Sequence, residues 1–379
     1  MNAICCPLCA SGEVKIIDTS LSGSVTSDFR YLDHVFEYMH CENCGYIFRE
    51  QNKEIDNKEY YTHGYELQIH TDKTERMIFE IEAAGYADYL ADYFSEHLEN
   101  SRAKTFLDIG AGKGSLVESV HNSFPDLSIF AVEPSRAFNN LKEKKFLMDC
   151  YNSFFCSADF DGKFFDYITL IEVLEHVLSP RKFLKDIKNI MREDSLLMIS
   201  VPNVSNDKYD FLSPDHISRF TVESATNLFK TVGFEIVKSN IFQNSATMLF
   251  IVKKGKTVGG LKRANSSAII KSALDLIYGA IEDAKEIANE KAAIYGQGLI
   301  FDYLIGQKII KLDNIVCIID DNETFKNKKW KGVVGIVSLN IFLDGYRNVP
   351  NIFLAMNECY HSRVMDRIPD NYKIWGVRR

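Results

Sequence analysis

The sequence predicts an α/β protein: one nucleotide-binding core, a small cysteine-rich module before it and a smaller α/β unit after it. Three observations predict this order. The apolar run Thr105-Phe-Leu-Asp-Ile breaks into glycines at alternate positions, Gly110, Gly112 and Gly114, where a backbone without Cβ atoms can turn sharply and approach a ligand. Five of the nine cysteines fall within the first 44 residues. From Ala292 a second strand-turn-helix series begins, with its own Gly296-x-Gly298 turn.

Residues 1–50 carry two C-x-x-C knuckles, Cys6-Pro-Leu-Cys9 and Cys41-Glu-Asn-Cys44. Four thiolates so spaced can close a tetrahedral zinc site with no position left for water, which makes the expected metal structural. The segment needs it: with Ser20-Leu-Ser-Gly-Ser in its middle, it has too little apolar surface to hold itself together. Cys5 is an alternative ligand to Cys6, although the C-x-x-C spacing favours Cys6. Cys150, Cys156, Cys317 and Cys359 are scattered, and free buried thiols are the expectation for them.

Residues 51–100 read as a helical lid or linker. The tyrosine-rich passage Lys58-Glu-Tyr-Tyr-Thr-His-Gly-Tyr can close over a ligand, and a helix is expected from about Thr74 to Leu98, with Ile78, Ile81, Tyr89 and Tyr93 on one side. The core spans residues 101–254. Its second apolar run, Ser128-Ile-Phe-Ala-Val, ends in Glu133, 19 residues beyond Gly114, where a carboxylate can accept hydrogen bonds from ribose hydroxyls. Phe165 to Ile171 and Leu196 to Val201 are the next expected strands. The segments starting at Gly233 and Thr247 read as the paired final strands of a seven-stranded sheet.

Residues 255–290 form a basic linker and a helix capped by Ser266 or Ser267. Residues 291–379 repeat the logic of the core, the second strand ending in Asp320 and Asp321, but Ile300 falls near where a third glycine would be. Binding of a phosphate or ribose there and a half-Rossmann unit kept for architecture are both open.

Composition narrows the partners. A net charge of -8 argues against a nucleic-acid substrate, and 46% hydrophobic residues supply real cores. No window approaches about eighteen apolar residues, and the N-terminus has no charged and then apolar leader, so a cytoplasmic chain without membrane contact is expected.

The order D-x-G-x-G-x-G at Asp108 to Gly114, followed by Glu133, resembles the S-adenosylmethionine loop of class I methyltransferases, with their Rossmann-like seven-stranded sheet. Leu174-Glu-His176 matches the turn after their fourth strand, and Asp215-His-Ile-Ser-Arg-Phe-Thr matches the segment that often carries the acceptor side. A four-cysteine zinc ribbon, such a core and a C-terminal half-Rossmann domain, in that order, resemble the sugar C-methyltransferases of deoxysugar biosynthesis. The resemblance implies S-adenosylmethionine held by Asp108, Gly110, Gly112, Gly114 and Glu133, and a nucleotide-linked keto-sugar as acceptor. It further implies a base from the acid-histidine pair Asp215-His216, with aspartate where glutamate is usual, and site roles for His176 and for Tyr60 or Tyr61. The family's histidine-glycine-glycine stretch has no counterpart in Ile241-Phe-Gln-Asn-Ser-Ala-Thr-Met. The wording around Asp215 also occurs in a wider group of methyltransferases acting on oxygen, so C- and O-methylation both stand. Among these residues His216 is the expected proton acceptor, its ring oriented by Asp215 or another carboxylate. The alternatives are a small-molecule O-methyltransferase unrelated to sugars and a non-catalytic partner protein that binds S-adenosylmethionine.

Overall fold

The computed structural model describes residues 4–49, 59–65, 76–78, 83–98, 105–243, 245–256, 261–322, 325 and 327–377. In the N-terminal module β1 (Val14–Ile17), β2 (Tyr38–Cys41) and β3 (Ile47–Arg49) form an antiparallel sheet. The core begins with α1 (Tyr86–Leu98), β4 (Thr105–Ile109), α2 (Ser115–Ser123), β5 (Ser128–Val132), β6 (Asp149–Tyr151) and β7 (Phe165–Ile171). It continues through α3 (Pro180–Asn189), β8 (Met191–Pro202), the short β9 (Ser218–Arg219), α4 (Val222–Val232), β10 (Phe234–Ile241) and β11 (Thr247–Lys254).

The seven-stranded sheet runs β6-β5-β4-β7-β8-β11-β10. All strands run in one direction except β11, which is antiparallel to both β8 and β10. Parallel strands are buried on both faces, which explains why Phe106, Leu107, Ile168, Leu170, Leu197 and Ile199 are all removed from solvent. One face packs on α1 and α2, and the other on α3, α4 and the cysteine module. The chain order reverses between β4 and β7, and in open α/β sheets ligands bind in the crevice beyond the carboxyl ends of strands at such a point.

The smaller C-terminal unit is α5 (Ser267–Glu286), β12 (Ala292–Tyr295), α6 (Leu299–Gly306), β13 (Ile315–Ile319), β14 (Lys329–Trp330), β15 (Val334–Val337), α7 (Leu339–Gly345), β16 (Asn351–Leu354) and β17 (Lys373–Trp375). Its sheet runs β14-β15-β13-β12-β16-β17, parallel except at β14.

One expectation changes. Helix α1 starts at Tyr86, not near Thr74, because Arg76–Ile78 pairs antiparallel with Ala83–Gly85. Ile81 lies outside the described residues. As expected from its small apolar surface, the cysteine module does not stand on its own local core. Met39 and Phe48 share an apolar cluster with the main sheet, while Ile17, Tyr38 and Ile47 share another with α5 and the C-terminal sheet. Strand β9 extends the module's sheet, Ser218 opposite Phe48 and Arg219 opposite Ile47. Ser266 stands at the N-cap of α5, one of the two serines expected there, but its hydroxyl makes no cap bond and donates to the Gly45 carbonyl at 2.5 Å. No helix among the described residues is long and apolar enough to cross a membrane.

Candidate active site and cysteine cluster

The turn expected to hold the donor follows β4. Gly110, Gly112 and Gly114 all have positive φ, at 80, 55 and 82°, a region that L side chains occupy only with strain. Gly110 N–H donates to the Val132 carbonyl at 2.8 Å, tying the turn to the end of β5. A Cβ on Gly110 would collide with the side chain of Val173, in the turn after β7. Glu133 accepts from Gly112 N–H and Ser135 N–H, each at 2.7 Å. Asp108 is buried beneath the turn and accepts from the Thr169 hydroxyl at 2.7 Å. Burial pushes its carboxyl up to about 7 against that bond, with Glu133 adding to the rise. The strained glycine cradle beside two carboxylates fits the adenosyl and sulfonium parts of S-adenosylmethionine.

Beyond β7 and β8 a second set of side chains converges from distant segments. Tyr61 lies in a single π-helical turn, Tyr60–Gly64, and its hydroxyl sits 2.5 Å from His176 Nδ1 and 3.1 Å from Asp215 Oδ2. His176 Nδ1 is also 3.1 Å from the Asp215 carbonyl. The His176 and His216 rings meet edge to face, their centroids 4.7 Å apart. The structure therefore brings all four sequence-derived acceptor residues together. Of the alternatives left open for the His216 ring, Asp215 or another carboxylate, the structure takes the second: His216 Nδ1 pairs with Asp210 and not with the neighbouring Asp215. Asp215 turns its carboxylate to Ser27, accepting from the amide at 2.9 Å and the hydroxyl at 2.5 Å, and to Ser213 at 3.0 Å.

Electrostatics separates the two histidines. Burial lowers His216, but the Asp210 carboxylate outweighs it and lifts the imidazolium to about 10. His176 falls to about 4, through burial first and then the charge of His216. Burial raises Asp215, yet His216, His176 and Ser27 overcome this and hold it below the ordinary carboxylate value. Burial and Asp215 keep the Tyr61 phenol far above its usual range.

Sequence reasoning missed five residues here. Arg219 binds Asp210 at 2.9 Å and donates to the carbonyls of Asp210, Ser213 and His216, folding the loop that presents His216. From the cysteine module, Ser27 holds Asp215, Asp28 accepts from Tyr60 at 2.7 Å, and Arg30 donates to the Gly64 carbonyl at 2.6 Å. Asp210, six residues before His216, is the fifth; an acid at that spacing is a weak signal, while the other four contacts have no local signature.

In the module, Cys6 Sγ lies 3.7 Å from Cys44 Sγ and Cys9 Sγ 3.5 Å from Cys41 Sγ, with all four sulfurs within 4.8 Å of one another. A zinc about 2.3 Å from each sulfur sets neighbours about 3.8 Å apart, so the donor set fits. The knuckles turn alike: Ala10 and Gly45, each just past a second cysteine, sit at φ 60 and 72° and donate back to Cys6 and Cys41 carbonyls. Cys5 is exposed and outside the cluster.

The second glycine turn is different. Gly296 is at φ 86° and donates to the Ile319 carbonyl at 2.9 Å, but Gly298 is at φ -80°, where any residue fits. A Cβ there would meet the Ala355 carbonyl. Asp320 accepts from Gln297 at 3.0 Å, and Asp321 from Tyr295 at 2.7 Å and Arg367 at 2.8 Å.

Residues 80–239, which span the donor turn and the histidine cluster, match the family described as methyltransferase domain. The chain carries a methyltransferase domain. The sequence is 33% identical over 129 residues to a ubiquinone biosynthesis O-methyltransferase of Glaesserella parasuis, covering 31% of this chain and 53% of that protein. It is 25% identical over 194 residues to an (S)-tetrahydroprotoberberine N-methyltransferase of Eschscholzia californica, covering 50% and 46%. The chain thus spans about half the length of these curated relatives. Among solved structures, the mitomycin 7-O-methyltransferase MmcR is 18% identical with a TM-score of 0.38, over 45% of this chain and 53% of that one.

Proposed function

We propose that the chain transfers the methyl group of S-adenosylmethionine to a sugar-like, nucleotide-linked acceptor, on oxygen or on carbon. The observation that carries this reading is the convergence of Tyr61, His176, Asp215 and His216 beyond β7, one turn from the glycine cradle and joined to it where Val173 covers Gly110. The donor brings its own leaving group: as the methyl passes in line to the acceptor, the carbon–sulfur bond breaks and a neutral thioether remains. The protein has to align the acceptor and deal with its proton. His216, fixed by Asp210 and protonated up to about pH 10, cannot be the proton acceptor expected from the sequence; we assign it to acceptor activation as an imidazolium that stabilises the acceptor oxygen, with Asp215, His176 and Tyr61 around it.

The C-terminal unit closes the same side. Lys208 pairs with Glu358, and the Tyr360 hydroxyl accepts from Ala246 N–H at 3.4 Å, next to the loop that carries Asp210. This supports an acceptor held between the core and the C-terminal unit, as a nucleotide-linked sugar requires. A zinc in the Cys6, Cys9, Cys41 and Cys44 cluster would fasten the module that supplies Ser27, Asp28 and Arg30. Structural zinc sites contribute about 10–16 kcal/mol in small domains.

The test is transfer of an isotope-labelled methyl group to a panel of sugar nucleotides, read by mass shift. His216→Ala is expected to keep donor affinity while lowering turnover by about 10²- to 10⁴-fold. Unchanged turnover would remove His216 from the reaction. Labelled product on a hydroxylated aromatic alone would favour the O-methyltransferase without a sugar substrate.

A further inference from the structure

Two buried carboxylates in the histidine cluster have no role so far. Glu172 closes β7 at φ 52°, and its Oε1 accepts from the Tyr86 hydroxyl at 3.3 Å and from Ser200. Glu175, 1% exposed, lies beside it, and no hydrogen-bond donor reaches its Oε2. No lysine or arginine pairs with either acid among the described residues. The His216 imidazolium is the cation beside this pair, and an ion in the place of its proton would meet the open Glu175 Oε2.

Glu175, His176 and His216 each offer a ligand atom, and the three atoms lie within 4.8 Å of one another. Both rings are also set up from behind. His216 Nδ1 rests on the Asp210 carboxylate and His176 Nδ1 on the Asp215 carbonyl, which leaves Nε2 as the inward nitrogen of each. His176 Nε2 stands 3.8 Å from Glu175 Oε1. A carboxylate or carbonyl behind the distal nitrogen is the usual support of a metal-binding histidine, since it fixes tautomer and ring direction. Ligands about 2.1 Å from a tetrahedral ion are about 3.4 Å apart, so a small rotation of these side chains closes the site.

We propose that Glu175, His176 and His216 hold one divalent cation, distinct from the cysteine cluster, on which an oxygen of the acceptor is seated. Two imidazoles and a carboxylate suit a borderline first-row ion such as zinc, manganese, iron(II) or cobalt rather than calcium, and they leave coordination positions open. A vicinal diol or hydroxyketone can occupy them, which makes such an oxygen pair the chemical mark of the acceptor. This inference rests on the reading of the cluster as the acceptor side. In the loaded enzyme the ion takes the place of the His216 Nε2 proton, which is released to solvent, and the part of His216 in activation is to hold the ion.

The experiment is a manganese(II) titration of the full chain followed by electron paramagnetic resonance, with total metal counted separately. Manganese avoids thiolate sites, so the cysteine cluster stays silent. The expected result is a single bound manganese per chain. Glu175→Gln and His176→Ala should each weaken binding by at least about 10-fold, while Cys41→Ser leaves it unchanged. Retention of S-adenosylhomocysteine affinity shows that the variants are folded. Absence of manganese binding in the unaltered chain, or equal binding in both cluster variants, overturns the proposal. Failure of methyl transfer to every sugar nucleotide would count against the acceptor class alone, because the metal count does not depend on turnover.

Discussion

The chain contains the same β-turn-α idea twice, and the two copies end differently. In both, the first glycine of the turn donates its amide to the last carbonyl of the adjacent strand, Gly110 to Val132 and Gly296 to Ile319. After that they part. The core turn has three glycines at positive φ; the C-terminal turn has one, and its Gly298 is small only because the Ala355 carbonyl crowds it. Where the core has the buried Asp108 two residues before its glycine, the second unit has Ile294. Glu133 bonds to backbone of the turn region; Asp320 and Asp321 also accept backbone amides, from Asn322 and Leu339, but are taken up in addition by the side chains of Gln297, Tyr295 and Arg367. A glycine spaced for a ligand and a glycine spaced for packing look alike in sequence. They are told apart by φ and by what would meet a Cβ.

Substitutions at matched positions test that contrast. Glu133→Ala should weaken donor binding most, by about 10- to 100-fold, the value of one or two hydrogen bonds to a charged group. Asp320→Ala should leave donor binding alone, and equal loss in calorimetry would erase the distinction. Gly110→Ala forces a Cβ into Val173 at φ 80° and should cost about 10-fold or more in donor affinity. Gly298→Ala should instead lower stability by about 1–3 kcal/mol through overpacking, with donor affinity kept, as thermal unfolding and titration together can read.

A smaller effect follows from Asp108. Its carboxyl is raised from 3.8 to about 7 in the folded chain, so the fold holds a proton that the unfolded chain releases. Its stabilising share is complete below about pH 4 and is lost as the pH rises toward 7. Asp108→Asn should flatten that part of the stability profile in urea unfolding. Ile294→Val, at the matched position, should leave the slope as it is.

What the sequence made legible is what local pattern can carry. Alternating glycines, apolar runs and paired C-x-x-C knuckles are short-range signals, and they marked the seven-stranded sheet, its glycine turn and the four cysteines that cluster. What stayed hidden was the joining of distant segments. Ser27 reaches Asp215 across 188 residues, and β9 completes a sheet whose other strands lie in the first fifty residues. No periodicity encodes such contacts. The choice of Asp210 over Asp215 as partner of His216 likewise depends on how Arg219 folds the loop. The helix expected from about Thr74 failed at its start for a different reason: a single i, i+3 pair, Ile78 and Ile81, is too short a pattern to fix a helix against the pairing of Arg76–Ile78 with Ala83–Gly85.

The central claim is that the donor occupies the first glycine turn and not the second. Titration of the full chain with S-adenosylhomocysteine in a calorimeter tests it most directly. A single site per chain, strongly weakened in Glu133→Ala and unchanged in Asp320→Ala, is the predicted result. A second site of comparable affinity, or binding that survives Glu133→Ala and disappears in Asp320→Ala, would contradict it.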